Sequence, residues 1–94
     1  LPLQISDIYY IEKKDKNIIY HSARGTFKER KTLQEAETYF KENGFVRIHA
    51  RYLIHLMHVS SFTKDHVILM CHVRLPIARA RKKEVLERLR GDGK

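Results

Sequence analysis

The sequence predicts a mainly β domain in which short antiparallel strands surround one covering helix. Three observations indicate this fold class: β-prone runs recur along the chain, polar turns separate them, and one central segment changes to helical periodicity. The 94 residues are enough for one domain, and 43% of them are hydrophobic, which provides a modest core without disulfides. We expect seven or eight strands. The alternative is a generic α+β domain with one antiparallel sheet.

The first predicted elements form a hairpin with a cationic loop. Asp7–Glu12 and Ile18–His21 are rich in Tyr and Ile, and the segment Lys13–Asn17 between them is polar and basic. Gly25 then ends the second strand-like run, and a third strand is predicted over Thr26–Arg30.

The middle of the chain predicts a three-turn amphipathic helix over Thr32–Asn43. Its apolar positions recur at helical spacing, Thr32 and Glu35 match a capping box, and Asn43-Gly44 provides a left-handed stop. We expect this helix to cover an edge or a face of the sheet.

The second half returns to strand-like segments and ends in a helix. The segment Ala50–His55 is ambiguous between a helical turn and an irregular crossing, and Pro76 argues against a central strand after it. The tail 91–94 is expected to be disordered. Three further strands are predicted over Phe45–His49, Leu56–Phe62 and His66–Val73, and the last two form a hairpin through Thr63–Asp65. A C-terminal helical segment is predicted over Ala78–Arg90.

The formal net charge of +8 is the most informative property of the composition, and it is unevenly distributed. Residues 13–31 contain seven Lys or Arg against two acidic residues, and residues 74–94 contain eight against three. Residues 32–44, between these two blocks, are net acidic. Nucleic acid is the commonest partner of such a surface and an anionic membrane the second, while a solvated basic face without a partner is the plain alternative.

Cysteine usage and hydropathy indicate a cytoplasmic protein. The single cysteine, Cys71, excludes an internal disulfide framework. The longest apolar runs are far shorter than the ~20 residues that span a bilayer, and no secretory leader opens the chain. Since the sequence starts at Leu1 without Met, we expect it to be a piece of a longer protein.

The sequence predicts neither an enzyme nor a metal or cofactor site. Of six histidines, His55 and His58 have the i, i+3 spacing of a helical face, but on a strand they would point to opposite faces. No metal-ligand motif supports them. Ser60, Ser61 and Cys71 lack the glycine pattern of a nucleophile elbow, and no glycine-rich phosphate loop is present.

Three groups of residues are candidates for binding DNA, each with a solvated surface as its alternative. Lysines neutralise phosphates, the planar fork of arginine fits guanine, and the amide of asparagine fits adenine. The first group is the hairpin loop, with Lys13, Lys14, Lys16 and Asn17. The second group shares an alternating strand face if that strand persists, and it contains Arg47, His49, Arg51 and Tyr52. The third group is the densest basic cluster, with Arg79, Arg81, Lys82 and Lys83.

Taken in order, four segments resemble the LytTR DNA-binding domain of bacterial response regulators: Asp7–Glu12, Thr32–Glu37, Phe45–His55 and Leu75–Arg79. The resemblance extends over about residues 5–89 and implies about ten short strands in small antiparallel sheets with one short helix. It also implies sequence-specific binding of duplex DNA by loops rather than a recognition helix, often at paired direct repeats in promoters. A receiver or other domain upstream, and dimerisation of the full-length protein, are implied as well.

The resemblance assigns DNA contacts to the three candidate groups, and this sequence departs from the family motif at three places. Ala50-Arg51, Ile54-His55 and Ala78-Arg79 stand where the family has Arg-Ser, Val-Asn and Ser-Arg, so two serine hydroxyls that would donate to phosphates are missing. Our hypothesis is that Arg51 and Arg79 contact bases. Four lysines are expected to contact phosphates: Lys13, Lys16, Lys82 and Lys83.

The alternative function is a basic RNA- or protein-binding module without sequence-specific DNA recognition. In an RNA-binding module, the aromatic residues Tyr9, Tyr10, Tyr20 and Phe27 would be stacking platforms, although packing in the core is their expected role. A membrane-surface domain is disfavoured because no helix combines a wide apolar face with a basic one.

Overall fold

The computed structural model describes residues 3–91 and confirms a mainly β domain. The described residues form eight strands, the number expected from the sequence pattern and fewer than the resemblance implies. The elements are β1 (Ile8–Lys14), β2 (Asn17–Ser22), β3 (Gly25–Glu29), α1 (Leu33–Tyr39), β4 (Phe45–His49), β5 (Tyr52–His55), β6 (Val59–Phe62), β7 (His66–Leu69), β8 (Arg74–Pro76) and α2 (Lys82–Leu89). Of the predicted tail, only Gly91 lies within the described residues.

The strands form two antiparallel sheets. The larger sheet has the order β3-β2-β1-β5-β4, so β1 lies at its centre, and the smaller sheet has the order β6-β7-β8. In the larger sheet, Lys13 of β1 pairs with Ile18 of β2, and Glu12 of β1 pairs with Tyr52 of β5. The β1–β2 turn, the start of β5 and the end of β4 therefore lie at the same end of this sheet.

The larger sheet is covered on both faces, which divides the core into two clusters. On one face, Leu33 and Ala36 of α1 pack in a cluster with Ile11 and Leu53. On the other face, neighbouring positions of the same strands pack against the smaller sheet and α2, and this cluster contains Tyr10, Val46, Ile54, Val67, Leu69 and Val85. Each fully buried aliphatic side chain contributes about 1.5–3 kcal/mol to stability, so the two clusters fix the sheet between its covering layers.

The capping box that the sequence predicts at the start of α1 is present. The Glu35 amide donates to Thr32 Oγ1 at 3.0 Å, and the Thr32 amide donates to Glu35 Oε1 at 2.9 Å. The expected length of three α-helical turns is wrong: α1 ends at Tyr39, and residues Lys41–Asn43 form a 3₁₀ turn. The tighter turn is a common way to end a short helix, and Gly44, with φ of 79°, redirects the chain into β4.

The cationic hairpin is tighter than the sequence suggests. Lys13 and Lys14 belong to β1 and Asn17 to β2, which leaves only Asp15 and Lys16 in the turn. Asp15 has φ of 57°, a conformation that aspartate tolerates better than most residues. Lys13 and Lys14 therefore stand on a paired strand, which gives these two lysines a rigid base.

Three predicted elements of the second half are interrupted. Leu56–His58 is a 3₁₀ turn, and the strand expected over Leu56–Phe62 starts only at Val59. The strand expected over His66–Val73 ends at Leu69, because the chain reverses through His72, whose φ is 71°. The segment 50–55 resolves into a turn followed by β5, and the C-terminal helical segment begins as a 3₁₀ turn over Arg79–Arg81.

His55 and His58 lie together, contrary to the expectation that they diverge. Their ring centroids are 5.2 Å apart, because a 3₁₀ turn has about three residues per turn and aligns positions i and i+3. His55 is buried, and its Nδ1 accepts the Met57 amide at 3.3 Å, while His58 Nε2 hydrogen-bonds to the Ser6 carbonyl at 2.8 Å. Residues 3–91 contain no group of three or more His, Cys, Asp or Glu side chains placed to hold a metal ion.

The stability of the domain should depend on pH through His55. Burial, reinforced by His58, lowers the pKa of His55, so below about pH 6.5 the unfolded chain takes up a proton that the folded chain resists. This contribution to stability is complete above the unfolded pKa and is lost as the pH falls towards the folded one. We expect urea unfolding to show a weaker loss of stability between pH 7.5 and pH 5.5 in His55→Asn, whose amide oxygen retains the cap.

The matched control is His72→Asn at an exposed position with a left-handed φ, which asparagine tolerates. This variant should keep the pH dependence of the parent. An unchanged pH dependence in His55→Asn would contradict the assignment.

Candidate nucleic-acid interface

Backbone hydrogen bonds bring the three predicted groups to one end of the larger sheet. The Lys13 amide donates to the Arg51 carbonyl at 2.9 Å, which joins the β1–β2 turn to the β4–β5 turn. The Ala78 amide donates to the Ile48 carbonyl at 2.8 Å, which fixes the segment after β8 beside the end of β4. We call this region the cationic end and define it by residues 13–17, 47–52 and 78–83.

The hairpin tip (Lys13–Asn17) and Arg51 form an exposed part of the cationic end. Lys13, Lys14 and Lys16 are exposed, whereas Asn17 is half-buried at the base of the turn. The Arg51 guanidinium is within 3.4 Å of the Lys13 carbonyl, and Arg51 lines a small cavity together with Lys13, Lys14 and Asp15. The three cations of this cavity surround one carboxylate and repel each other, so an anionic ligand that docks here is favoured.

Arg47 supports the β4–β5 turn from within. Its Nε donates to the His49 carbonyl at 3.2 Å and its Nη2 to the Ala50 carbonyl at 2.8 Å. Nη1 is 3.3 Å from Glu37 Oε1, and only 15% of the Arg47 side chain is exposed. The guanidinium fork is therefore occupied by backbone carbonyls and one carboxylate.

The alternating face predicted for Arg47, His49 and Arg51 is not formed. The β4–β5 register shifts between Arg47 and His49, and Arg51 lies in the turn beyond the strand. His49 Nδ1 accepts the Arg51 amide at 3.1 Å, so its Nε2 carries the ring proton and is free to donate. The His49 ring packs against Tyr52 with centroids 5.3 Å apart, and Tyr52 in turn contacts Tyr10 at 6.3 Å.

The third group divides into exposed and engaged side chains. Arg79 and Lys83 are exposed, and Arg81 is half-buried. Lys82 Nζ donates to Asp65 Oδ1 at 2.6 Å, and this hydrogen bond holds the pKa of Asp65 below its ordinary value. Lys82 thus connects the start of α2 to the β6–β7 turn, and its charge is partly neutralised.

Three further basic residues, not predicted from the sequence as site residues, lie near the cationic end. Lys64 is exposed in the β6–β7 turn, which is held close by the Ile77 amide donating to the Asp65 carbonyl at 2.8 Å. Arg30 and Lys31 follow β3 and line a cavity with Lys16 of the hairpin tip. The register of the β2–β3 pair returns the end of β3 to the hairpin tip. A prediction of that register would have found Arg30 and Lys31.

Comparison with known proteins agrees with this architecture. The family model of the LytTr DNA-binding domain matches residues 1–90. Among solved structures, the fold is similar to the LytTr DNA-binding domain of a methyl-accepting/DNA response regulator from Bacillus cereus. That match has a TM-score of 0.84 and 22% sequence identity, and it covers 97% of this chain and 87% of that one. No curated protein matches the sequence. The chain belongs to the LytTr DNA-binding domain family.

Proposed function

We propose that this domain binds duplex DNA in a sequence-specific manner, as the effector part of a bacterial transcription regulator of the two-component type. The observation that supports the proposal is the convergence of three basic segments on one end of a rigid sheet. Family membership supports DNA as the partner. We also propose a cytoplasmic location, promoter direct repeats as targets, and dimerisation through other parts of the full-length protein.

Docking begins with electrostatics in this proposal. The net charge of +8 attracts the DNA backbone, and each lysine that reaches a phosphate releases a condensed counterion. Because Lys13 and Lys14 stand on a paired strand, little backbone freedom is lost when they bind. The phosphate contacts are assigned to Lys13, Lys14, Lys16, Arg81 and Lys83.

Base recognition follows from the exposed arginines. Arg51 and Arg79 each present a planar fork that matches the O6 and N7 acceptors of guanine, and His49 Nε2 provides one further donor. In this proposal the basic loops of the cationic end enter successive major grooves of the duplex.

A stacking platform for single-stranded RNA is disfavoured by burial. Tyr10 and Tyr20, two of the four aromatic candidates, are 7% and 2% exposed, so their faces are occupied by the core. Tyr9 and Phe27 are half-buried and pack against the two core clusters. Recognition of single-stranded RNA depends on exposed aromatic faces, which these residues do not offer.

The proposal is tested by selecting duplexes from a randomised library with this domain. Fluorescence anisotropy then compares the selected duplex, a shuffled duplex, single-stranded RNA and heparin at two salt concentrations. We expect the selected duplex to bind at least tenfold more tightly than the shuffled one, with a steep loss of affinity at higher salt. Equal affinity for the two duplexes, or a preference for RNA, would reject sequence-specific DNA binding.

Arg79→Ala and Lys83→Ala should differ in what they change. We expect Arg79→Ala to cost about 1–3 kcal/mol on the selected duplex and much less on the shuffled one, because a base contact is lost. Lys83→Ala should weaken both duplexes similarly and reduce the salt slope by about one. Anisotropy titrations at several salt concentrations measure both effects. If Arg79→Ala weakens both duplexes equally, direct base recognition by Arg79 is wrong.

We propose that Arg47 acts as a positioning residue for the β4–β5 turn. Arg47→Gln should lower the free energy of unfolding by about 1–3 kcal/mol, because backbone carbonyls lose charged donors. It should also weaken binding of the selected duplex without changing the salt slope, since no phosphate contact is lost. The control Glu37→Gln removes only the half-exposed carboxylate partner and should have small effects. A salt slope lower by about 0.9 in Arg47→Gln would instead assign Arg47 to a phosphate.

A further inference from the structure

A second basic cavity lies beside the hairpin tip, on the side away from Arg51. Its volume is about 410 Å³, and it lies between the tip and the segment that connects β3 to α1. Four of its lining residues are basic and two are acidic: Lys13, Asp15, Lys16, Arg30, Lys31, Thr32 and Glu35. None of the residues contributed by the β3–α1 side belongs to the three groups assigned to DNA above.

Arg30 is the cation of this cavity that is best placed for a new ligand. Lys31 Nζ is 3.6 Å from Glu29 Oε2 and 5.5 Å from the centre of the Tyr39 ring, so it already has partners. The Glu35 carboxylate accepts the Thr32 amide of the capping box and is directed to the helix start. Arg30 is exposed at the end of β3, and Lys16 is exposed on the opposite wall.

The strand order fixes how far Arg30 lies from the other contacts. Glu29 pairs with Ile18, and Ile18 pairs with Lys13, so Arg30 lies two strands beyond β1. Neighbouring strands are about 4.8 Å apart, so β3 is about 10 Å from β1 and about 19 Å from β4. At about 3.4 Å per nucleotide step along a strand, 19 Å corresponds to nearly six base pairs.

We propose that Arg30, together with Lys16, binds a DNA phosphate that flanks the sequence read by the loops, which extends the footprint of the domain across the whole width of its larger sheet. This inference rests on the proposed binding of duplex DNA. The contact is electrostatic and independent of base identity. It therefore adds affinity for every duplex that continues past the hairpin tip.

The test is the salt dependence of binding to a 30-base-pair duplex of mixed sequence, measured by anisotropy. Arg30→Gln should lower the slope of log K against log salt by about 0.9 and weaken binding by roughly fivefold to tenfold near 0.1 M salt. Arg30→Lys should keep the slope of the parent, because it retains the charge. Circular dichroism of each variant confirms that the fold is intact.

Arg24→Gln is a matched control on the same edge of the sheet. Arg24 is exposed in the β2–β3 turn, next to the start of β1, because the Ala23 amide donates to the Asp7 carbonyl at 2.9 Å. It carries the same charge as Arg30 but lies at the opposite end of the sheet from the hairpin tip. Its replacement should leave both the slope and the affinity within about twofold of the parent.

Each outcome decides between this inference and the proposed function. If Arg30→Gln binds the duplex as the parent does while Lys16→Gln is weakened, the flanking contact is wrong and DNA binding stands. Equal losses in Arg30→Gln and Arg24→Gln would also overturn it, because they would reflect net charge alone. Weakened binding of heparin without weakened binding of the duplex would point to another polyanion. Failure of the parent itself to bind duplex DNA would reject both proposals.

Discussion

The antiparallel pairing of β1 with β5 at the centre of the larger sheet places the β1–β2 turn beside the β4–β5 turn. Glu12 faces Tyr52 in this pairing, and its continuation, the hydrogen bond from the Lys13 amide to the Arg51 carbonyl, brings together two basic turns that are 38 residues apart in the chain. A shift by one residue would turn the apolar positions of β5 away from their clusters. Burial of Leu53 and Ile54 on opposite faces therefore fixes the register that assembles the cationic end.

The cationic end combines side chains that build the loops with side chains that remain exposed. Arg47 donates to the carbonyls of the β4–β5 turn, and Lys82, at the start of α2, donates to Asp65 of the β6–β7 turn. These two side chains anchor the short segments that carry Arg51 and Arg79. Rigid segments lose little conformational freedom on binding, which favours direct base contacts over loose electrostatic attraction.

Local signals in the sequence predicted much of the fold. The strand Phe45–His49 and the Thr32–Glu35 capping box were predicted correctly, because alternation and capping depend on neighbouring residues. The 3₁₀ turn at Leu56–His58 was missed, since its apolar residues are compatible with a strand and the side-chain cap from His55 becomes clear only in three dimensions.

The candidate site was predictable in composition but not in the role of each residue. The sequence identified the basic groups, yet it did not distinguish Arg47, whose fork is occupied, from Arg51, whose side chain is exposed. The ion pair of Lys82 with Asp65 and the position of Arg30 beside the hairpin tip also depend on contacts between distant segments. Such contacts follow from strand register, which a single sequence specifies only indirectly.

We propose that one end of the larger sheet carries the DNA-binding surface. The most direct measurement is an NMR titration of the ¹⁵N-labelled domain with the selected duplex, which follows every backbone amide. We expect the largest shifts in residues 13–17, 49–52 and 78–83, while the β2–β3 turn at Arg24 and the 3₁₀ turn at Met57 remain unchanged. Shifts concentrated at those two turns, or on the exposed side of α1, would contradict it.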